Sequence, residues 1–131
     1  MNIVVLSGHL VTAPSSREQP SGSVVWSFDI ATAVDAPNAL AGGQLPARVS
    51  VPVMWTADSV PPTWQIDTEV VVTGVVRRRF FRSGGATQSR TEVVATDVVD
   101  VTKRRPLAKA LERALTSLGA QDWATLRSVA G

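Results

Sequence analysis

Apolar and polar residues alternate over most of the first hundred positions, and clusters of turn-forming residues interrupt the alternation. Asn2 to Val11 predicts a first strand, closed by the stretch Thr12 to Gly22 with its two prolines. Val24, Trp26, Phe28 and Ile30 then alternate with Val25, Ser27, Asp29 and Ala31, which gives a second strand one strongly apolar face. Asp35 to Pro46, with Gly42, Gly43 and two prolines, reads as a loop. A third strand follows at Ala47 to Trp55, and Pro52 inside it requires an edge position or a bulge, because proline donates nothing to a ladder. Ala57 to Asp67 has room only for a short helix, since Pro61 and Pro62 interrupt it. Glu69 to Phe81 and Thr87 to Thr102 make two long strands, and Arg82, Ser83, Gly84, Gly85 and Ala86 between them form a glycine hairpin signal. Five strands in about 100 residues predict an all-β domain, a small barrel or sandwich.

Composition divides the chain in two. Of 21 valines, 20 precede residue 102, and branching at Cβ favours pleated strands. The last 26 residues hold one valine, five leucines and six alanines, a helix former's composition. Residues 1–102 therefore read as the β domain, and residues 103–131 as a basic linker followed by an amphipathic helix. With 131 residues and a mean hydropathy of +0.12, one domain with a core of its own is expected. The chain has no cysteine and no tyrosine, and His9 is its one histidine. Zinc fingers, disulfide scaffolds and thiol catalysis lack their raw material, and no metal or cofactor is expected. No apolar run reaches the roughly 20 residues of a bilayer span, and the N-terminus lacks a signal-peptide pattern, so a cytoplasmic location without membrane contact is expected.

Charge is unevenly placed. The formal net charge is only +2, yet residues 77–90 hold Arg77, Arg78, Arg79, Arg82 and Arg90 with no acid. Residues 77–105 carry eight basic groups against three acids, a net +5, which leaves −3 on the remainder. Such asymmetry fits a basic face for nucleic-acid phosphates, and equally a hairpin kept soluble by its arginines. Strand parity places Arg77, Arg79 and Phe81 on one face and Arg78, Phe80 and Arg82 on the other. Guanidinium groups pair with phosphate, and a phenyl face accepts any base, so the pattern suits single strands regardless of sequence. Of the two rings, Phe80 is the one expected to pack at the barrel end. Catalytic pairings are absent: Asp97 and Asp100 are three apart in a strand and face opposite ways, the Gly-Gly pairs lack a phosphate-loop lysine, and His9 has no partner in sequence. His9 reads as a satisfied polar residue or a modest phosphate contact, and no enzyme is expected.

The order N-x-V-x-L-x-G-x-L in Asn2 to Leu10, Pro14, Ser23 to Ala31, VVVTGVVRRRFF at Val70 to Phe81, Gly84-Gly85 and TEVVATDVV at Thr91 to Val99 resembles bacterial single-stranded DNA-binding proteins over about residues 1–102. The resemblance implies a five-stranded OB barrel that binds single-stranded DNA with little regard for sequence, in replication, recombination or repair. It also implies a nucleoid-associated location and a homo-oligomer, dimer or tetramer. Phe81 matches the family's stacking tryptophan, with Arg77 and Arg79 as its neighbours on that face; Arg78, Arg82 and Arg90 complete the expected DNA-contacting set. Trp55 falls where the family has another base-contacting aromatic, with a core-capping ring as the alternative. The chain departs elsewhere. Val49 stands where the family has a tryptophan, and Asp35 to Leu40 contains no aromatic. Trp26, by its parity with Phe28 and Ile30, and Trp64 read as core, and Asp67 replaces a turn glycine.

The tail departs most. The family's acidic, phenylalanine-containing tip is missing from a chain ending RSVAG, so recruitment of proteins through such a tip has no support. Instead Pro106 opens a helix in which Leu107, Leu111, Ala114, Leu115 and Leu118 recur at helical spacing, and Asp122 opens a second turn with Trp123, Leu126 and Ala130. A helix of about 13 residues is ordered only if its leucine stripe is buried, on its own barrel or on another subunit. The alternative for the whole chain is an OB-fold assembly or primosome-like adaptor with weak or no DNA binding.

Overall fold

A computed structural model describes residues 1–33, 47–57, 63–118, 125 and 127–129. The expected loop at Asp35 to Pro46, part of the segment from Ala57 to Asp67, and most of the turn expected from Asp122 to Ala130 lie outside the described residues. The strands are β1 (Val4–Leu10), β2 (Ser15–Glu18), β3 (Val24–Ala33), β4 (Arg48–Thr56), β5 (Glu69–Ser83) and β6 (Ala86–Asp100), and the helix α1 spans Arg104–Thr116. The strand order is β1-β5-β6-β4-β3-β2, and a β1–β3 pairing at His9↔Ala31 and Leu10↔Ile30 closes it. Every pairing is antiparallel except β4 with β6. This is the all-β, five-stranded closed barrel of the OB type with a short C-terminal helix, and β2 is added to it. The turn-rich stretch before Gly22 conceals β2, a four-residue exposed strand paired with β3 from Ser15↔Ser27 to Glu18↔Val24.

Leu10, Phe28, Ile30, Val53, Val70, Val72, Val93 and Val98 fill the barrel. Val93 and Val98 differ in parity, yet both point inward. The reason is a bulge: Thr73 faces Asp97 and Gly74 faces Ala95, so Thr96 is one residue too many on β6. Its hydroxyl donates to the Thr73 carbonyl at 3.0 Å and satisfies a group the interrupted ladder would leave bare. Pro52 lies in β4 opposite Asp29, one residue before β6 joins β4 at Val53, so the proline occupies a locally unpaired edge of its strand. Asp67 has a φ of 76° and is the only non-glycine with positive φ among the described residues, as expected of a residue standing at a turn glycine's position. Asn2 extends the β1–β5 ladder with its side chain: Oδ1 accepts from the Val76 amide at 2.9 Å, and Nδ2 donates to the Val76 carbonyl at 2.7 Å.

Three tryptophans gather on the interior side of the barrel wall. Trp55 shares the parity of the buried Val53, lies opposite Trp26, and stacks on Trp64 at 5.9 Å between centroids. Trp26 Nε1 donates to the Ala57 carbonyl at 3.2 Å, so its polar atom is satisfied where the ring is half-buried.

Helix α1 begins two residues before Pro106. The proline is tolerated in the first turn because amides there have no intrahelical acceptor. Leu107, Ala110 and Ala114 face β5 and β6, and Ala110 is fully buried. Leu111 and Leu115 stay exposed, so the expected stripe of buried leucines is replaced by a narrower one built on alanine against β5 and β6. Arg113 Nη2 donates to Asp97 at 2.8 Å and clamps the helix to β6. In the turn before α1, the Thr102 hydroxyl and amide both donate to Asp100, which holds that carboxyl below its ordinary value.

Candidate nucleic-acid interface

Beyond the barrel, β5 and β6 continue as a two-stranded arm. Pairing of β1 with β5 ends at Val4↔Gly74, and pairing of β4 with β6 ends at Val53↔Val93, whereas β5 and β6 stay paired out to Ser83↔Ala86. Gly84 and Gly85, at φ of 60° and 82°, supply the two left-handed residues of a tight hairpin turn whose twist matches the strands.

At the base of the arm lies an open groove of about 450 Å³ on the outer wall of the barrel. Ser27 and Asp29 of β3, Pro52 and Met54 of β4, Arg79 of β5, and Arg90 and Glu92 of β6 line it, with Ser15, Ser16 and Arg17 of β2 on the far bank. Glu92 is its organiser. The carboxylate is only 2% exposed; it accepts from Arg77 Nη2 at 2.7 Å and lies 3.7 Å from Arg79 Nε. That Arg79 nitrogen is buried and makes no hydrogen bond, while its guanidinium lies 5.5 Å over the Phe81 ring. Arg77 also reaches Met54 Sδ at 3.6 Å. Across the groove, Arg90 Nη2 contacts Asp29 Oδ1 at 3.3 Å. A phosphate entering here meets two arginines already engaged by carboxylates, and a third that is stacked on a ring.

The structure brings together Arg77, Arg79, Phe81 and Arg90 on this side and turns Arg78 and Arg82 to the reverse of the arm, as strand parity requires. Trp55 is not in the groove; it stands on the inward face with Trp64. Phe80 corrects an expectation. It has the inward parity of Val72, but the strand has by then left the barrel, so the ring is 66% exposed and packs on no core. Phe81 is the half-buried ring of the two. His9 stands outside the groove, half-buried, with Nε2 3.5 Å from Arg48 Nη1. Sequence reasoning missed Asp29 and Glu92 as partners. Asp29 was visible on the polar parity of β3, but pairing with Arg90, 61 residues away, depends on closure of the barrel.

No protein-family model matches the chain, and no curated protein matches it in sequence. Among solved structures, the SSB of Plasmodium falciparum in complex with ssDNA is similar in fold: the TM-score is 0.61 at 17% identity, over 76% of this chain and 94% of that one. At this identity the likeness establishes the barrel architecture and leaves the ligand to the residues.

Proposed function

We propose that this chain binds single-stranded DNA with little dependence on sequence, in replication, recombination or repair, in the cytoplasm on the nucleoid. The observation that carries the reading is the groove continuous with the arm, where Arg79 and Arg90 flank a floor leading to the half-buried Phe81. Guanidinium groups supply the phosphate attraction, and the ring supplies a face on which any base stacks. Support also comes from the OB architecture and from the ligand of the Plasmodium structure. Nothing in this reading requires a cofactor, a metal or a catalytic step. An adaptor role with weak DNA binding is the second reading, favoured by one observation: Trp26, Trp55 and Trp64 are committed to the interior side, which leaves the groove poor in stacking rings.

Titration of a labelled oligonucleotide, single-stranded and duplex, at several salt concentrations tests the proposal. Arg77, Arg79 and Arg90 stand on the groove side, each able to exchange its carboxylate contact for a phosphate, so about three phosphates are neutralised per chain. The slope of log K against log salt is then about −2, or roughly a 20-fold loss between 50 and 200 mM. Equal affinity for duplex, or a slope near zero, excludes this function.

The acid across the groove yields a prediction of opposite sign. Asp29→Asn releases Arg90 and removes a negative charge from the path of the phosphates. Single-stranded DNA is expected to bind about 2- to 5-fold tighter at low salt, in line with an exposed ion pair of under about 1 kcal/mol, and the gain shrinks as salt screens it. Weaker binding by the variant, measured in the same titration, would show that Asp29 positions Arg90 for DNA instead of competing for it.

We also propose that the chain forms a dimer or tetramer. Among the described residues, Val4 to Gly8 of β1 are paired only on the β5 side, and Met1, Ile3 and Val5 along this strand are exposed. An open edge flanked by apolar residues is stabilised by pairing with another copy. Sedimentation equilibrium should return a multiple of 13.9 kDa, and a monomer at all concentrations would refute the proposal.

A further inference from the structure

We infer that the reverse face of the arm is a second stacking site for single-stranded DNA, with Phe80 as its platform, so that one strand runs through the groove and over the arm onto its back. The inference rests on the function proposed above and extends it to a face that the groove does not include.

Three observations carry it. First, Phe80 is 66% exposed on a two-stranded ribbon, opposite Ser89 and flanked by Arg78↔Thr91 and Arg82↔Thr87. The residues directly and diagonally across the ribbon from Phe80 are Ser89, Thr87 and Thr91, and the apolar pair Val76↔Val93 lies further back at the base of the arm, so no cross-strand apolar neighbour makes the ring a contributor to folding. Second, the ring is already prepared for a ligand. Arg78 donates to the Ser89 hydroxyl from Nε at 3.1 Å and from Nη2 at 2.9 Å, and this places its guanidinium carbon 5.8 Å from the Phe80 centroid. A guanidinium held beside an aromatic face presents a phosphate donor and a base platform as one unit, at little further cost in side-chain entropy. Third, charge distinguishes the two faces. The groove face sets Arg77, Arg79 and Arg90 against Glu92 and Asp29, whereas the reverse face carries Arg78 and Arg82 among serine and threonine with no carboxylate. An acid-free pair of arginines around an exposed ring is complementary to a polyanion with stacking bases, and poorly suited to an apolar protein surface.

The groove and the reverse face lie on opposite sides of a sheet one residue thick, so a strand must pass the edge or tip of the arm to reach both. Short oligonucleotides then fill the groove alone, and only longer ones reach Phe80. OB folds occupy roughly 4–16 nucleotides, so lengths of about 6 and about 30 separate the cases.

The test uses the full chain. Phe80→Ala is expected to weaken binding of the long strand about 5-fold or more while leaving the short one within about 2-fold, and Phe80→Trp to keep wild-type affinity, whereas Phe80→Leu behaves as Phe80→Ala. Photo-crosslinking of an oligonucleotide substituted with 5-iododeoxyuridine, mapped by mass spectrometry, should mark Phe80 as well as Phe81. If Phe81→Ala weakens binding while Phe80→Ala leaves the long strand unaffected and Phe80 unmarked, the groove function stands and this inference is overturned. Failure of the wild-type chain to bind single strands overturns both. A fall in sedimenting mass on Phe80→Ala, without a crosslink at Phe80, assigns the ring to a contact between copies and also overturns the inference. Thermal melting of the variants is expected to be unchanged, because the exposed ring packs on no core.

Discussion

Gly74→Ala is expected to lower stability by about 3 kcal/mol or more and the melting temperature by about 10 °C. A Cβ at this position would collide with the Val94 carbonyl oxygen and lie 2.9 Å from both Ala95 Cα and the Val94 carbonyl carbon. All three are backbone atoms of the paired strand, so no rotamer change relieves the overlap. The strands must part at the bulge, where the barrel passes into the arm. The positive-φ glycines provide the contrast. At Gly84, with φ 60°, a Cβ would meet nothing within 4 Å, so Gly84→Ala costs only the roughly 1–2 kcal/mol of a left-handed backbone. Melting curves of the two variants check the ranking. If Gly74→Ala melted with the wild type, or above Gly84→Ala, the close approach at the bulge would be wrong.

Phe81→Ala is expected to weaken binding of single-stranded DNA by about 1–3 kcal/mol, about 5- to 150-fold, with little dependence on base sequence. The ring stands on the arm beyond the barrel core and beneath the Arg79 guanidinium at 5.5 Å. Its removal therefore deletes one stacking platform and releases the arginine that covers it. The barrel should melt within a few degrees of the wild type, which separates a binding loss from an unfolding loss. Titrations with homopolymeric and mixed strands read both magnitude and sequence tolerance. Unchanged affinity would remove Phe81 from the interface, and loss on one sequence only would mean that bases are read by hydrogen bonds.

Much of this was legible from local pattern. Alternation located the five barrel strands within about two residues at most of their ends, and Gly84-Gly85 marked the tight turn, because side-chain period and turn chemistry depend only on near neighbours. Parity also separated Arg77, Arg79 and Phe81 from Arg78, Phe80 and Arg82, since no bulge interrupts the arm between them. The short strand β2 escaped notice because four exposed residues have no apolar face to alternate; pairing with β3 alone makes them a strand.

What a face meets is decided elsewhere. Phe80 and Val72 have the same parity, and one is solvent-exposed while the other is fully buried, because the barrel wall ends between them. Trp55 carries the same local signals whether it caps the interior or meets a base, and only closure of the sheet sets it against Trp64. On α1, helical spacing selected the leucines, but packing against β5 and β6 chose Ala110 and Ala114 for the inner stripe and left Leu111 and Leu115 outside. Sequence by itself determined the five barrel strands, the turn, the two faces of the arm and the basic character of that segment, all consequences of local periodicity and composition. The tertiary structure alone decided the burial of Glu92 between Arg77 and Arg79, the reach of Arg90 to Asp29 and the exposure of Phe80, because each depends on distances between strands far apart in the chain, which no local pattern encodes.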